Sequence, residues 1–210
     1  MRRFLIKCVN FALLVIIVIG IPAVTRRQFG SFQIGSAPAL QMLSFWTFSD
    51  VFEENGPSRH PFPSIFGLLA TGGIKKPSFY AFELFHKLGD TRLANPAENV
   101  LVTRREDGTV AIAVWNLNPP DKPGSALALD LKLTNGKGAT KALVSRVDAD
   151  HGNTLAAYER MGRPIYPTAE QVRALNAESE LKVPESLAIN QGQLRLTLPP
   201  NGFALIELAQ

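Results

Sequence analysis

The chain has 210 residues, an apolar fraction of 46%, a mean hydropathy of +0.06 and a formal net charge of +4, a length that predicts one or two domains. Five basic residues precede the first acidic residue, Asp50, so the remainder is close to neutral; without a basic stripe, a nucleic-acid partner is not expected. The single cysteine, Cys8, excludes a disulfide framework and a site built from several thiolates.

The N-terminal segment 1–27 is predicted to be a hydrophobic helix flanked by basic residues. Its apolar run, residues 8–24, has the length of a short bilayer span, although a secretory signal has the same charged start and apolar middle. We expect a signal-anchor or transmembrane-like leader, with a cleaved signal or a wrongly assigned start as alternatives. The first two predict a membrane-anchored or exported protein, and the third predicts a cytoplasmic one. Residues 28–42 are rich in Gly and Ser and are predicted to be a linker.

The stretch Leu43–Asn55, LSFWTFSDVFEEN, is predicted to begin as a strand and to end in an acidic turn. An aromatic ring such as that of Trp46 can pack on the apolar face of a pyranose, and carboxylates accept hydrogen bonds from its hydroxyl groups. Glu53 and Glu54 are adjacent, and adjacent side chains at a strand end are poorly placed to flank one glycosidic bond. We therefore predict a sugar-binding wall with no catalytic residue, and a solvated acidic turn is the alternative.

The next segment, residues 55–78, is rich in Gly and Pro and is predicted to be a long, packed connection. His60 lies in it, either solvated or in contact with substrate. Lys75 and Lys76 are predicted to form a solvated corner rather than a phosphate site. A helix is predicted over 78–89, with Ser78 as its N-cap and a glycine at its end.

From about residue 97 the chain is predicted to form short antiparallel strands. Strands at 99–104 and 109–117 flank a Glu-Asp-Gly turn, which indicates a hairpin. A second hairpin is predicted for 186–190 and 193–198, around Gln191-Gly192.

Further strands are predicted at 127–133, 139–147 and 202–208, the first with leucines alternating against polar residues. Six to eight strands at this spacing indicate an antiparallel β-sandwich. One helical insertion is predicted between the strands, since Thr168 and Gln171 form a capping-box pattern that marks the start of a helix.

The sequence DADHGN at residues 148–153 is compatible either with a metal loop or with a turn stabilised by side-chain bonds. Its spacing does not fit an EF-hand, so the turn is favoured and no metal is predicted. No P-loop, dinucleotide fingerprint, zinc-helix pair or nucleophile elbow is present in the sequence, so no cofactor is predicted.

Several long motifs resemble glycoside hydrolase family 39, and in particular its bacterial β-xylosidase branch. They are SFWTFSDVFEENG, PFPSIFGLLATGGIKKPSFYAFELFHKLGD, LVTRREDGTVAIAVWN and LPPNGFALIEL, and the likeness runs from about residue 40 to the C-terminus. The resemblance implies a mixed fold: a remnant of a (β/α)8 TIM barrel, comprising its last strand and helix, followed by an antiparallel β-sandwich and preceded by the N-terminal hydrophobic helix. The implied domains are the leader at 1–27, the linker at 28–42, the barrel end at 43–92 and the sandwich at 97–210.

The resemblance also implies the function and the partners. Residues matching Trp46, Glu53 and Glu54 contact the sugar in the family, whereas its acid/base and nucleophile glutamates precede this motif. We therefore expect part of a retaining glycosidase that is inactive alone and that binds a xylose-type sugar or xylo-oligosaccharide. Another chain could supply the remaining barrel strands, and the alternative function is a membrane-tethered, non-catalytic carbohydrate-binding or structural module.

Overall fold

The computed structural model describes residues 47–51, 60–62, 67–95, 97, 99–118, 123–134 and 138–209. This part of the chain is mostly sheet with three helices. The elements in chain order are β1 (Leu69–Ala70), β2 (Ile74–Lys75), α1 (Pro77–His86), β3 (Thr91–Leu93), β4 (Val100–Arg104), β5 (Val110–Trp115), β6 (Leu127–Lys132), β7 (Lys141–Val147), α2 (Leu155–Arg160), α3 (Ala169–Ser179), β8 (Glu185–Ala188), β9 (Gln193–Leu198) and β10 (Phe203–Ala209).

A six-stranded antiparallel sheet with the order β3-β4-β5-β10-β7-β8 forms the centre of the fold. β10 and β5 are almost continuously apolar because both faces of these central strands are covered. Leu205 on β10 lies between Ala113 on β5 and Ser145 on β7. The last strand in the sequence is therefore the one that joins the two halves of the sheet.

A two-stranded antiparallel sheet, β6-β9, covers one face of the central sheet. The inward residues of β9, Leu194, Leu196 and Leu198, are buried against Ile112 and Ile206. β6 alternates between half-buried leucines and exposed Ala, Asp and Lys, so the predicted core and solvent faces are confirmed. The two sheets form the layered antiparallel arrangement that the strand spacing predicts.

One predicted hairpin is confirmed, and the other is confirmed only at its turn. β4 and β5 pair across the turn, where Arg105 N–H donates to Thr109 O at 2.9 Å and Gly108 adopts a φ of 84°. Asn190 and Gln193 form an antiparallel bridge across the turn, but beyond it β8 pairs with β7 and β9 pairs with β6. The two strands enter opposite layers, since Leu187 of β8 extends the central sheet whereas the leucines of β9 belong to the covering sheet.

Helix α1 covers the other face of the central sheet. Tyr80, Ala81, Leu84 and Phe85 are buried there, against a sheet surface that includes Phe203. On this face β5 contributes the small Ala111 and Ala113 and the larger Trp115 to the same buried cluster. The predicted N-cap at Ser78 is wrong: the helix begins one residue earlier with a proline at its first position, which is compatible with the fixed φ of proline.

Helices α2 and α3 form a separate layer beside β1 and β2. Thr168 Oγ1 accepts from Gln171 N–H at 3.2 Å and Gln171 Oε1 accepts from Thr168 N–H at 2.9 Å, so the predicted capping box is confirmed. Leu175 of α3 is fully buried against Ile74 and Tyr158. α2 was not predicted because six residues are too short to show a helical period.

Thr168→Ala is expected to lower the free energy of unfolding by about 1 kcal/mol, because the N–H of Gln171 loses its acceptor. Urea denaturation followed by circular dichroism measures this change. Thr168→Ser keeps the hydroxyl group and serves as the matched control, which should retain most of the stability. Equal losses in the two variants would contradict a role for the cap.

Candidate functional site

The segment 47–51, which leads into the acidic turn, lies against the chain around β1. Leu68 N–H donates to Thr47 O at 3.1 Å, and Leu69 N–H donates to Phe48 O at 2.9 Å. Ser49 and Leu69 form a parallel bridge. A single strand-type bridge is therefore present next to the end of the predicted strand, whose earlier residues, 43–46, lie outside the described residues.

Asp50 is part of a buried ion pair rather than an exposed acidic turn. Its Oδ2 lies 2.5 Å from Lys76 Nζ, and its Oδ1 accepts from Gly67 N–H at 2.8 Å. The side chains of Asp50 and Lys76 are 0% and 9% exposed. The prediction of a solvated corner at Lys75 and Lys76 is thus wrong for Lys76, whose ammonium group reaches inward from the residue before α1.

Burial shifts both groups of this pair toward their neutral forms. Burial raises the pKa of Asp50, and its hydrogen bonds and attraction to Lys76 offset only part of that increase. Burial likewise lowers the pKa of Lys76, with Asp50 opposing the change. The pair therefore fixes the relative positions of Asp50 and Lys76 more than it stabilises the fold, because desolvation of the two charges offsets most of their mutual attraction.

Lys75, the neighbour of Lys76, also has a defined environment. Its ammonium group lies 5.1 Å from the ring centre of Phe79 and 5.4 Å from that of Tyr80. A cation at this distance is attracted to the electron-rich ring faces. Both lysines thus help to fix the start of α1, and neither forms a corner with only water around it.

Helices α2 and α3 contact the chain that follows the predicted acidic turn. Thr71 N–H donates to Pro61 O at 3.3 Å, and the ring of Phe62 packs edge-on against Tyr158 with centroids 5.1 Å apart. Asn176 Nδ2 donates to Gly72 O at 3.3 Å. The helical insertion therefore contacts both the loop and the turn between β1 and β2. This is a long-range role that the sequence pattern did not indicate.

The predicted sugar-contacting residues Trp46, Glu53 and Glu54 lie outside the described residues. Their roles stay predictions. His60 is exposed, and its role likewise stays a prediction. Lys76 and Gly67 were not predicted for this region. The aspartate at the end of a predicted strand was the available signal for an ion pair, since a buried aspartate requires a partner. The sequence does not reveal which basic residue is near it.

The DADHGN segment forms a turn. Asp148 Oδ1 accepts from Asp150 N–H at 2.9 Å and lies 2.7 Å from His151 Nδ1. The predicted turn stabilised by side-chain bonds is confirmed by the first of these contacts. Within the described ranges there is no group of three or more His, Cys, Asp or Glu side chains that could hold a metal ion.

Sequence comparison assigns the chain to a family. The profile of the glycosyl hydrolases family 39 matches residues 33–194. The chain belongs to glycosyl hydrolase family 39. Among curated relatives, a beta-xylosidase from Geobacillus stearothermophilus is 35% identical over 172 residues, which are 80% of this chain and 34% of that protein. A beta-xylosidase from Caldicellulosiruptor saccharolyticus is 33% identical over 149 residues, 68% of this chain and 30% of that protein.

Solved structures agree with the family-39 assignment. A monomeric beta-xylosidase from Caulobacter crescentus CB15 superposes with a TM-score of 0.72 at 27% identity, over 94% of this chain and 41% of that chain. A family-39 enzyme from Xanthomonas axonopodis pv. citri has a TM-score of 0.66 at 21% identity, over 99% and 42% of the two chains, and supports the fold alone. The chain spans about a third of the length of the curated relatives that it matches.

The resemblance predicted from the motifs is therefore confirmed at the level of the family. The predicted leader does not enter this comparison, because residues 1–27 lie outside the described part and before the matched residues. Among the helices that the structure describes, none has the length and apolar character needed to cross a bilayer.

Proposed function

We propose that this chain contributes the sugar-binding wall of a β-xylosidase-like glycoside hydrolase of family 39. Trp46, Glu53 and Glu54 would contact a xylose-type sugar or xylo-oligosaccharide. The observation that carries the proposal is the family match over residues 33–194, which includes the whole LSFWTFSDVFEEN stretch. Two relatives that align over 172 and 149 residues are named beta-xylosidases, which supports the substrate class.

The proposed division of roles follows from the chemistry of the side chains. The indole of Trp46 offers a large apolar face for the C–H groups of a pyranose. Ionised carboxylates make strong hydrogen bonds to donors such as sugar hydroxyl groups. Asp50 is already paired with Lys76, so Glu53 and Glu54 are the acids of this turn that we assign to the sugar.

We assign no catalytic residue to this chain. A retaining glycosidase requires two carboxyl groups about 5–5.5 Å apart across the scissile bond, and in the family both precede the motif that Trp46 belongs to. We propose that the chain needs a companion chain, or a longer form of the protein, to supply them. We further propose residues 43–92 as the end of the barrel and residues 97–210 as the sandwich, with α1 packing on the latter.

Trp46→Ala is expected to weaken binding of xylobiose to the full chain by about tenfold, which corresponds to about 1.4 kcal/mol of lost contact. Isothermal titration calorimetry measures the affinity. Tyr166→Ala is the matched control, because Tyr166 is an aromatic residue that is 72% exposed on the connection between α2 and α3. Equal losses in both variants, or no xylobiose affinity in the unaltered chain, would contradict the proposal.

The proposed absence of catalytic residues is tested with an aryl β-xyloside. The purified chain is expected to release no detectable phenol, since removal of a nucleophile costs many orders of magnitude in rate. Turnover that disappears in Glu53→Gln or Glu54→Gln would show that these acids are catalytic and would overturn the assignment.

A further inference from the structure

The buried ion pair lies where the two ends of one loop meet. The loop runs in sequence from Val51 to residue 66 and carries Glu53 and Glu54. Two hydrogen bonds join Asp50, before the loop, to residues after it. Asp50 N–H donates to Leu69 O at 2.8 Å, and Gly67 N–H donates to Asp50 Oδ1 at 2.8 Å. The residues before and after the loop are thus direct neighbours, and we call Asp50, Gly67 and Lys76 the loop neck.

Lys76 connects the loop neck to the start of α1. Its backbone N–H donates to Leu68 O at 3.0 Å, while its ammonium group reaches the Asp50 carboxylate. The residue is therefore attached to both ends of the loop at once. The next residue begins α1, which is packed on the central sheet, so the loop neck has a rigid support.

The loop neck leaves no room for a side chain at Gly67. A Cβ added there would lie 2.5 Å from Asp50 N, Asp50 Oδ1 and the carbonyl carbon of Ser49. Real Cβ atoms essentially never approach other atoms so closely, and two of these three atoms belong to the backbone. The glycine is required here by the close approach of the two chain segments.

The charge pair of the loop neck differs from the other ion pairs in the described residues. Arg146 and Glu185, for example, have side chains that are 16% and 53% exposed, and exposed pairs of this kind contribute little. The pair at the loop neck is the most buried of them. Because a buried pair is a weak source of stability, its value here is the arrangement that it imposes.

We propose that Asp50 and Lys76 are positioning residues that hold together the two ends of the segment whose sequence carries Glu53 and Glu54. The proposal deepens the sugar-binding role above and rests on it for its functional consequence. The loop neck itself follows from contacts among described residues and can be tested without any sugar.

The first test is amide hydrogen exchange on the full chain, comparing the unaltered protein with Lys76→Met. The N–H groups of Asp50, Gly67 and Leu69 are expected to exchange about tenfold faster or more in the variant, since each 1.4 kcal/mol of lost protection is a factor of ten. The N–H groups of β10 should change by less than about twofold, because the central sheet is not part of the loop neck.

Two further variants separate positioning from a general effect on folding. Asp50→Asn/Lys76→Met keeps an oxygen for Gly67 N–H and leaves no buried charge, so exchange should return to within about threefold of the unaltered protein. Gly67→Ala disturbs the loop neck by crowding and should reproduce the effect of Lys76→Met. Arg146→Met, which breaks an ion pair of the sandwich, should leave exchange at the loop neck unchanged.

The second test is xylobiose affinity by calorimetry in the same variants. Lys76→Met and Gly67→Ala are expected to lose about tenfold in affinity, and the double variant is expected to recover it. If the unaltered chain binds no xylobiose, the sugar-binding role fails, and exchange alone then decides whether the loop neck exists. Equal acceleration at the loop neck and in β10, complete unfolding of both Lys76→Met and Gly67→Ala, or no recovery in a folded double variant would overturn the proposal.

Discussion

Phe203→Ala is expected to lower the free energy of unfolding by about 3–5 kcal/mol, the usual cost of truncating a fully buried phenylalanine. Phe203 is 0% exposed and begins the central strand β10. It lies between Trp115 and Val147 in the strand register, and its ring centre is 4.8 Å from that of Phe85 in α1. The truncation would leave a cavity where helix and sheet meet, and neither side can collapse into it without moving the other.

Urea denaturation followed by near-ultraviolet circular dichroism measures this loss. Phe203→Leu keeps an apolar side chain of intermediate size and should cost less than half as much. Phe48→Ala removes a phenylalanine that is 63% exposed and should change stability by no more than about 0.5 kcal/mol. A cost below about 1.5 kcal/mol for Phe203→Ala would show that the helix does not depend on this contact.

The parts of the fold that could be predicted from the sequence are those set by local chemistry. The turn before β5 contains Asp107 and Gly108, and the carboxylate of Asp107 accepts from Thr109 N–H at 2.8 Å. The capping box of α3 likewise needs only residues within one helical turn. In both cases the residues that carry the signal also make the contacts, so reading the pattern was sufficient.

The errors arise where the decisive contacts are distant in sequence. The turn at Gln191-Gly192 was recognised, but which strand each side joins depends on β6 and β7, more than forty residues earlier in the chain. The partner of Asp50 is Lys76. A long connection separates the two residues in sequence, and nothing in its sequence indicates that they are close in space. Neither pairing has a local signature, so tertiary packing determined the outcome in both.

The candidate site likewise has a part that the sequence predicts and a part that depends on distant contacts. The family was recognisable because its motifs are long, and the profile match over residues 33–194 confirms it. The support beneath the site was not recognisable, because it consists of contacts such as that of Asn176 with Gly72, which joins α3 to the turn after β1. Sequence motifs thus predict residues that meet the sugar, whereas the contact of Asn176 with Gly72 supports the neighbouring turn.

Gly89→Ala is the second large effect, and we expect it to cost about 3 kcal/mol, at the upper end for overpacking. Gly89 was predicted to end the helix before it, but α1 ends at His86, and the φ of Gly89 lies outside the left-handed region. A Cβ at this position would lie 2.2 Å from the carbonyl carbon and oxygen of Arg104. The glycine is needed because the chain leaving α1 crosses directly over β4.

Two hydrogen bonds keep the chain in that place, so the added methyl group cannot be relieved by a small shift. Gly89 N–H donates to Thr103 Oγ1 at 2.9 Å, and Arg105 Nε donates to Lys87 O at 2.8 Å. Gly108→Ala is the informative control, because Gly108 has a φ of +84° but no atom within 4 Å of an added Cβ, so only backbone strain of about 1–2 kcal/mol applies. Chemical denaturation of both variants then distinguishes steric crowding at Gly89 from backbone strain at Gly108. A smaller loss for Gly89→Ala than for Gly108→Ala would mean that α1 can move away from the sheet, and that the loop neck attached to its first turn lacks the rigid support described above.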